Sequence, residues 1–216
     1  MKWITLISRK KTLNYTEFQD YYEYNHCLKA MKYFPFHRYE RNYIFSGSKD
    51  LDFDCICKFE VDDGYHLHDI YSCHSRQIMN GDTCPSMSSE NVRYLRVREH
   101  ILNDGIDSID FIGEKRYVLL FKFEGMIADV REARMEEAAK IIVEKLNYVR
   151  KLSYDIVELR REDEFPFDAC LWVSADIGFK SMCRYFRKLS GMQSLFEVNT
   201  YNSSPEVLQY RFTGNM

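Results

Sequence analysis

Phe53-Asp54-Cys55-Ile56-Cys57 returns 114 residues later as Phe167-Asp168-Ala169-Cys170-Leu171, and Trp3-Ile4-Thr5-Leu6 returns at the same distance as Tyr117-Val118-Leu119-Leu120. Both are short aromatic and aliphatic runs of the kind that form buried strands. A constant spacing between two such pairs predicts one fold used twice. The copies differ in a useful way. The first carries Phe18-x-x-Tyr21-Tyr22-x-x-x-His26, and the constant spacing sets Glu132, Met135, Glu136 and Lys140 against it. The first half reads as equipped for chemistry, the second as scaffold.

Working outward, residues 2–8 read as a strand that ends at the basic turn Arg9-Lys10-Lys11. A helix of about four turns follows Thr16 and is closed by Pro35, with Phe18, Tyr22 and His26 spaced four apart on one face. Strands are expected at 37–46, 53–60 and 92–102, with a second helix from about Tyr65 to Met79. Residues 103–115 form a connector. The second half repeats the order: strand 116–124, helix 129–147, strands 151–161 and 167–174, helix 177–189 and strand 194–202. The apolar run Val207 to Phe212 reads as an extra edge strand. β-α-β-β-α-β is the ferredoxin-like order, a four-stranded antiparallel sheet with helices on one face. The fold class is therefore α+β, with tandem ferredoxin-like units at 1–104 and 115–216 whose open sheet faces cover one another.

Composition sets limits. With 45% apolar and 29% charged residues the chain is globular rather than disordered. Sixteen Tyr and 15 Phe exceed what a minimal core needs, so some are expected to line a pocket. The net charge of -3 comes without a basic block, which argues against nucleic acid as a partner. The N-terminal apolar run stops at Ile7, too short for a leader or a membrane span, so a cytoplasmic protein without membrane association is expected. Seven cysteines without a small-domain framework read as reduced thiols.

The helix motif and its surroundings resemble the EthD-like group of the dimeric α/β-barrel superfamily. A basic strand end precedes Tyr15-Thr16-Glu17-Phe18, the helix presents Tyr21-Tyr22 and His26, Phe34-Pro35 leads to Arg38-Tyr39-x-x-Asn42, and Phe53-Asp54 opens a third strand. Residues 3–102 carry the resemblance. Tyr22 stands where Trp is commoner in that family, and Phe36 where Gly is commoner. The resemblance implies an internal dimeric α/β-barrel and a cofactor-independent decarboxylase or oxygenase acting on an aromatic or polyketide-like small molecule. A homo-oligomer is compatible with it. Two other classes stay open: a non-catalytic ligand-binding or interaction protein, and a haem-binding barrel with His26 as axial ligand.

His26 is the expected proton-transfer residue, because an imidazole titrates near neutral pH. Its alternative is a helix-end histidine favoured by the dipole. Tyr22 and Tyr39 join it as catalytic candidates, and Phe18, Asn42 and Asp54 as substrate-binding ones. The strand period of two imposes a restriction, since Tyr39 and Asn42 lie three apart and point to opposite faces. Tyr39 shares its face with Arg41 and Tyr43, and Asn42 with Glu40. Asp54 is expected either to orient His26 or, because it recurs as Asp168 where the histidine is lost, to close a turn. His66-x-His68 with Cys73-His74 looks metal-like, but positions two apart on a helix diverge by about 200°. No metal is expected.

Overall fold

A computed structural model describes residues 1–47, 51–64, 92–105, 115–146, 148–159 and 166–213. The expected helix at 65–79, with His66, His68, Cys73 and His74, lies outside them. The chain is mixed α/β. Its strands are β1 (Lys2–Ile7), β2 (Arg38–Gly47), β3 (Cys55–Glu60), β4 (Arg93–Asn103), β5 (Lys115–Phe121), β6 (Lys151–Leu159), β7 (Ala169–Ala175) and β8 (Met192–Ser203). In the first unit β1, β3 and β2 are neighbours in that order, and in the second the order is β8-β5-β7-β6-β4. The helices are α1 (Tyr15–Tyr21), a π-helical segment (Tyr22–His26), α2 (Cys27–Tyr33), α3 (Ala128–Lys145), α4 (Phe179–Phe186) and α5 (Pro205–Arg211). Two compact units result: Met1–Tyr43, Leu51–Tyr94 and Thr200–Met216 form the first, Ile44–Asp50 and Leu95–Asn199 the second.

In the first unit β3 is the central strand of an antiparallel trio, pairing Ile7 of β1 and Tyr43 of β2 with Cys55. Alternation puts Trp3, Ile7, Tyr39, Tyr43, Cys55, Cys57 and Phe59 on the face that meets Phe18, Tyr22, Cys27, Ala30 and Met31 of the helix. The helix starts earlier than the sequence implied. Asn14 accepts a hydrogen bond from the Glu17 amide at 2.9 Å, and the Glu17 carboxylate accepts one from the Asn14 amide at 2.9 Å, a reciprocal capping box. The helix ends at Phe34, before Pro35, whose ring cannot continue it.

The second unit builds its core between α3, α4 and the β5-β7-β6 face, with Met135, Ala139, Ile142, Tyr154, Leu171 and Phe186 buried. Its registers echo the first unit. Ile7 pairs with Cys55, and Phe121 pairs with Ala169, each 114 on. The turns echo as well: Asp54 donates its amide to the Ile7 carbonyl at 2.8 Å, and Asp168 donates to Phe121 at 2.7 Å.

The spacing is not constant between these points, which corrects the gap-free expectation. Tyr43 and Ile156, the partners of Cys55 and Ala169, are only 113 apart. The helix explains part of this. In the first unit the Cys27 amide donates to the Tyr22 carbonyl, five residues back, so the π segment holds one residue more than a regular helical turn. α3 is a regular helix, with Met135, Ala138, Ala139 and Ile142 buried.

Residues 207–212 are another correction. They are not an edge strand but part of helix α5, because the Ser204 hydroxyl caps the Val207 amide and Pro205 occupies the first turn. Leu208 is its buried residue, and the α5 end is tied to α2 by the Thr213 amide donating to the Lys32 carbonyl at 3.1 Å.

Candidate functional site

The π segment and β2 build a polar cluster inside the first unit's helix–sheet layer. Tyr22 is 2% exposed, and its hydroxyl lies 3.1 Å from the Tyr39 hydroxyl and 3.4 Å from the Cys57 thiol. The Tyr22 ring is covered on its outer side by His26, with ring centres 4.8 Å apart and planes tilted by 33°. Phe18 and Tyr43 close its other sides at 5.9 and 6.1 Å. His26 is the half-buried member of this stack. It joins the buried phenols to the protein surface.

A buried ion pair holds the cluster in shape. The Arg41 guanidinium donates Nε to one Glu23 oxygen at 3.0 Å and Nη2 to the other at 2.7 Å, with both side chains nearly covered. The same guanidinium donates to the Tyr39 carbonyl at 2.8 Å and to the Ser203 hydroxyl at 2.7 Å. It also sits 4.8 Å over the Tyr39 ring, a cation–π contact. Tyr43 donates its hydroxyl to Glu23 at 2.7 Å. This bidentate geometry is what makes a desolvated charge pair tolerable.

Electrostatics assign roles by exclusion. Burial raises the pKa of Tyr22, Tyr39 and Tyr43 well above the ordinary phenol value. They remain neutral donors at physiological pH and do not act as bases. Burial also pushes the Cys27 thiol up to about 12 and raises that of Cys55. Burial works against the Arg41 charge, but the hydrogen bonds it donates to Glu23 more than offset this and its pKa rises. Glu23 is bound to Arg41 and Tyr43, and His26 is the half-buried imidazole at the edge of the cluster.

The structure thus brings together Phe18, Tyr22, His26 and Tyr39 but not Asn42 or Asp54. Asn42 lies on the opposite sheet face, where it donates to Glu40 at 3.0 Å and to the Ile56 carbonyl at 3.1 Å and accepts from Thr200 at 2.8 Å. Asp54 closes the turn after β1, accepting from the Arg9 amide at 2.8 Å and from Arg9 Nε at 3.0 Å. Asp168 does the same with the Phe123 amide at 2.5 Å, so the turn role, not the histidine partner, is the one the repeat preserves. Glu23, Arg41 and Tyr43 were not singled out as site residues by sequence. Arg41 and Tyr43 were legible as face-mates of Tyr39, whereas Glu23 enters through the π segment. Among the described residues no group of three or more His, Cys, Asp and Glu side chains is arranged to hold a metal ion, and no helix is long and apolar enough to cross a membrane.

No protein-family model and no curated protein matches the sequence. Solved structures do match in fold. An anthrone oxidase-like protein aligns with a TM-score of 0.57 at 10% identity, covering 93% of this chain and 92% of its own. A protein named as a monooxygenase from Fusobacterium nucleatum aligns at 0.54 with 8% identity, covering 94% and 93%. A protein named as a chlorite dismutase aligns at 0.50 with 8% identity, covering 97% and 98%. At such identities the likeness is one of fold alone.

Proposed function

We propose that the chain is a cofactor-independent oxygenase-type enzyme acting on an aromatic or polyketide-like small molecule, with the first unit as its working half. The observation that carries this reading is the half-buried His26 ring stacked on Tyr22, whose hydroxyl lies 3.1 Å from that of Tyr39. His26 takes a proton from an acidified C–H of the substrate, and the buried Tyr22–Tyr39 pair fixes the ring on which the imidazole rests. The carbanionic carbon adds dissolved O2 to form a peroxide, which takes up a proton and loses water to leave the carbonyl, so O2 is the oxidant and its second atom leaves as water. A fold shared with an anthrone oxidase-like protein and a monooxygenase supports the reaction class. The tandem ferredoxin-like arrangement, units 1–104 and 115–216, is supported by the strand order, which reads first-third-second in the first half and fourth-first-third-second in the second. Phe18 would act as an apolar wall. Asn42 and Asp54 serve the sheet and the turn rather than the substrate.

Haem on His26 is a weaker fit, because Tyr22 covers one face of the imidazole and Phe18, Tyr43 and Cys27 fill the layer behind it. The test uses anthrone as substrate in air, following oxygen uptake and anthraquinone formation. Wild type is expected to turn over with no Soret absorbance. His26→Ala should melt like wild type and lose the activity, and Tyr22→Phe should keep the fold and lower the rate. A His26→Ala protein that melts far below wild type yet turns over normally would make His26 a packing residue.

A further inference from the structure

The second unit lacks the aromatic–histidine motif, yet it positions a histidine of its own. His100, on β4, pairs in register with Tyr154 on β6. Its imidazole lies flat on the Tyr154 ring, with centres 4.6 Å apart and planes within 10°. Nε2 stands 3.1 Å from the Glu132 carboxylate of α3, within ion-pair distance though not aligned as a hydrogen bond. Such pairs commonly tighten only when substrate is bound. Both side chains are about a quarter exposed, 25% and 26%, while Nε2 itself is covered, so any accessible part of the imidazole lies elsewhere on the ring. Tyr154 beneath them is buried. The surrounding charges are Arg98, 3.7 Å from Glu132 and 3.0 Å from Glu158; Arg96, 3.2 Å from Glu158; and Glu136 one helical turn beyond Glu132. Burial first, and then Glu132 and Glu136, push the Tyr154 hydroxyl up to about 12, so it stays a neutral platform.

We propose that His100, oriented by Glu132 and stacked on Tyr154, is a second proton-transfer site, specific to the second unit and independent of His26. A carboxylate that takes the Nε2 proton leaves Nδ1 as the basic nitrogen, and the ring stack fixes where Nδ1 points. The site takes small carbon or oxygen acids whose conjugate base is an oxyanion, with Arg98 beside it as counter-charge. In the step, Nδ1 removes the substrate proton, the electron pair stays on the substrate, and the imidazolium formed is balanced by Glu132 until water accepts the proton. Glu132 is a positioning residue, since it acts through the imidazole.

5-Nitrobenzisoxazole is a suitable probe. A base removes its ring C–H proton, the pair forms a nitrile, and the N–O bond breaks to a coloured cyanophenolate. Wild-type protein is expected to exceed the same concentration of free imidazole at least tenfold. Measured in a His26→Ala background, which removes the first unit's imidazole, His100→Ala should fall to the imidazole level. Glu132→Gln preserves shape and should lower the rate at least tenfold and move the midpoint of its pH profile, which a purely structural ion pair would not do. Melting curves identify any variant that fails to fold, and His100→Gln then replaces His100→Ala. A wild-type rate at the imidazole level, or a rate lost only in His26→Ala, would overturn the assignment.

Discussion

Glu23→Ala tests whether the ion pair inside the π segment organises the first unit. The carboxylate accepts three hydrogen bonds, two from Arg41 and one from Tyr43. Its removal strands a guanidinium whose side chain is only 5% exposed. Breaking a buried pair from one side costs about 3–5 kcal/mol, because the remaining charge stays desolvated. Leaving the Tyr43 hydroxyl without its acceptor costs about 1–3 kcal/mol. The two losses share one carboxylate and do not add fully, so about 4 kcal/mol is expected. For a chain of this length each kcal/mol moves the melting temperature by about 2–4 °C, which predicts a drop of about 8–16 °C. Urea unfolding followed by circular dichroism measures the same quantity directly. Glu23→Met with Arg41→Met removes both charges and should recover most of the loss, since an apolar replacement of a buried pair is often nearly neutral. If Glu23→Ala costs no more than about 1 kcal/mol, the figure for an exposed pair, the proposed organising role is wrong.

Three further outcomes are expected. Burial holds Cys27, Cys55, Tyr22, Tyr39 and Tyr43 above the ordinary values of 9.0 for thiols and 10.0 for phenols, so the unfolded chain releases these protons first. Stability should be full below about pH 9 and fall as pH rises beyond it, with phenolate absorbance appearing together with unfolding; a free titration of all tyrosines in the folded state would count against the packing described. Asp54→Ala should lower stability by about 1–3 kcal/mol without changing turnover, because its oxygens hold the Arg9 turn, and a selective loss of activity would return it to the site. A fragment of residues 1–105 should aggregate or self-associate, because it lacks Thr200 for Asn42, Ser203 for Arg41 and Leu208 for the first core, and a monomeric, cooperatively folding fragment would refute this.

Much of this was legible in the residues. The repeated Phe-Asp pair gave two turns with the same backbone hydrogen bonds, because a strand end that needs an Asp acceptor needs it in both copies. Strand alternation correctly separated Tyr39, Arg41 and Tyr43 from Glu40 and Asn42. Other features were not legible for physical reasons. The one-residue insertion has no compositional signature, since Tyr22-Glu23-Tyr24-Asn25-His26 suits an α-helix as well as a π segment. The Ser204-Pro205 start of α5 was present, but an apolar run of six residues fits a strand or a helix equally until its cap is considered. His100 was hidden because its partners Glu132 and Tyr154 come from distant parts of the chain.

The inserted residue is the physical difference between the two halves that bears most directly on chemistry. In α3 the step from Met135 to Ala139 is four residues, a regular turn that returns apolar side chains to the core. In the first unit the step from Tyr22 to Cys27 is five. Both ends still reach the core, so the extra residue widens the arc between them, and Glu23 and His26 flank it. Glu23 turns inward to meet Arg41, while His26 lies over Tyr22 at the edge of the layer. A π turn gives up regular hydrogen-bond geometry, and such segments are found mostly where function offsets that cost. The cost here is offset by a bidentate ion pair that a regular turn would point away from the sheet. The π segment therefore accompanies the buried Glu23–Arg41 pair, while the Tyr22–His26 stack is the ordinary contact of residues four apart on a helix.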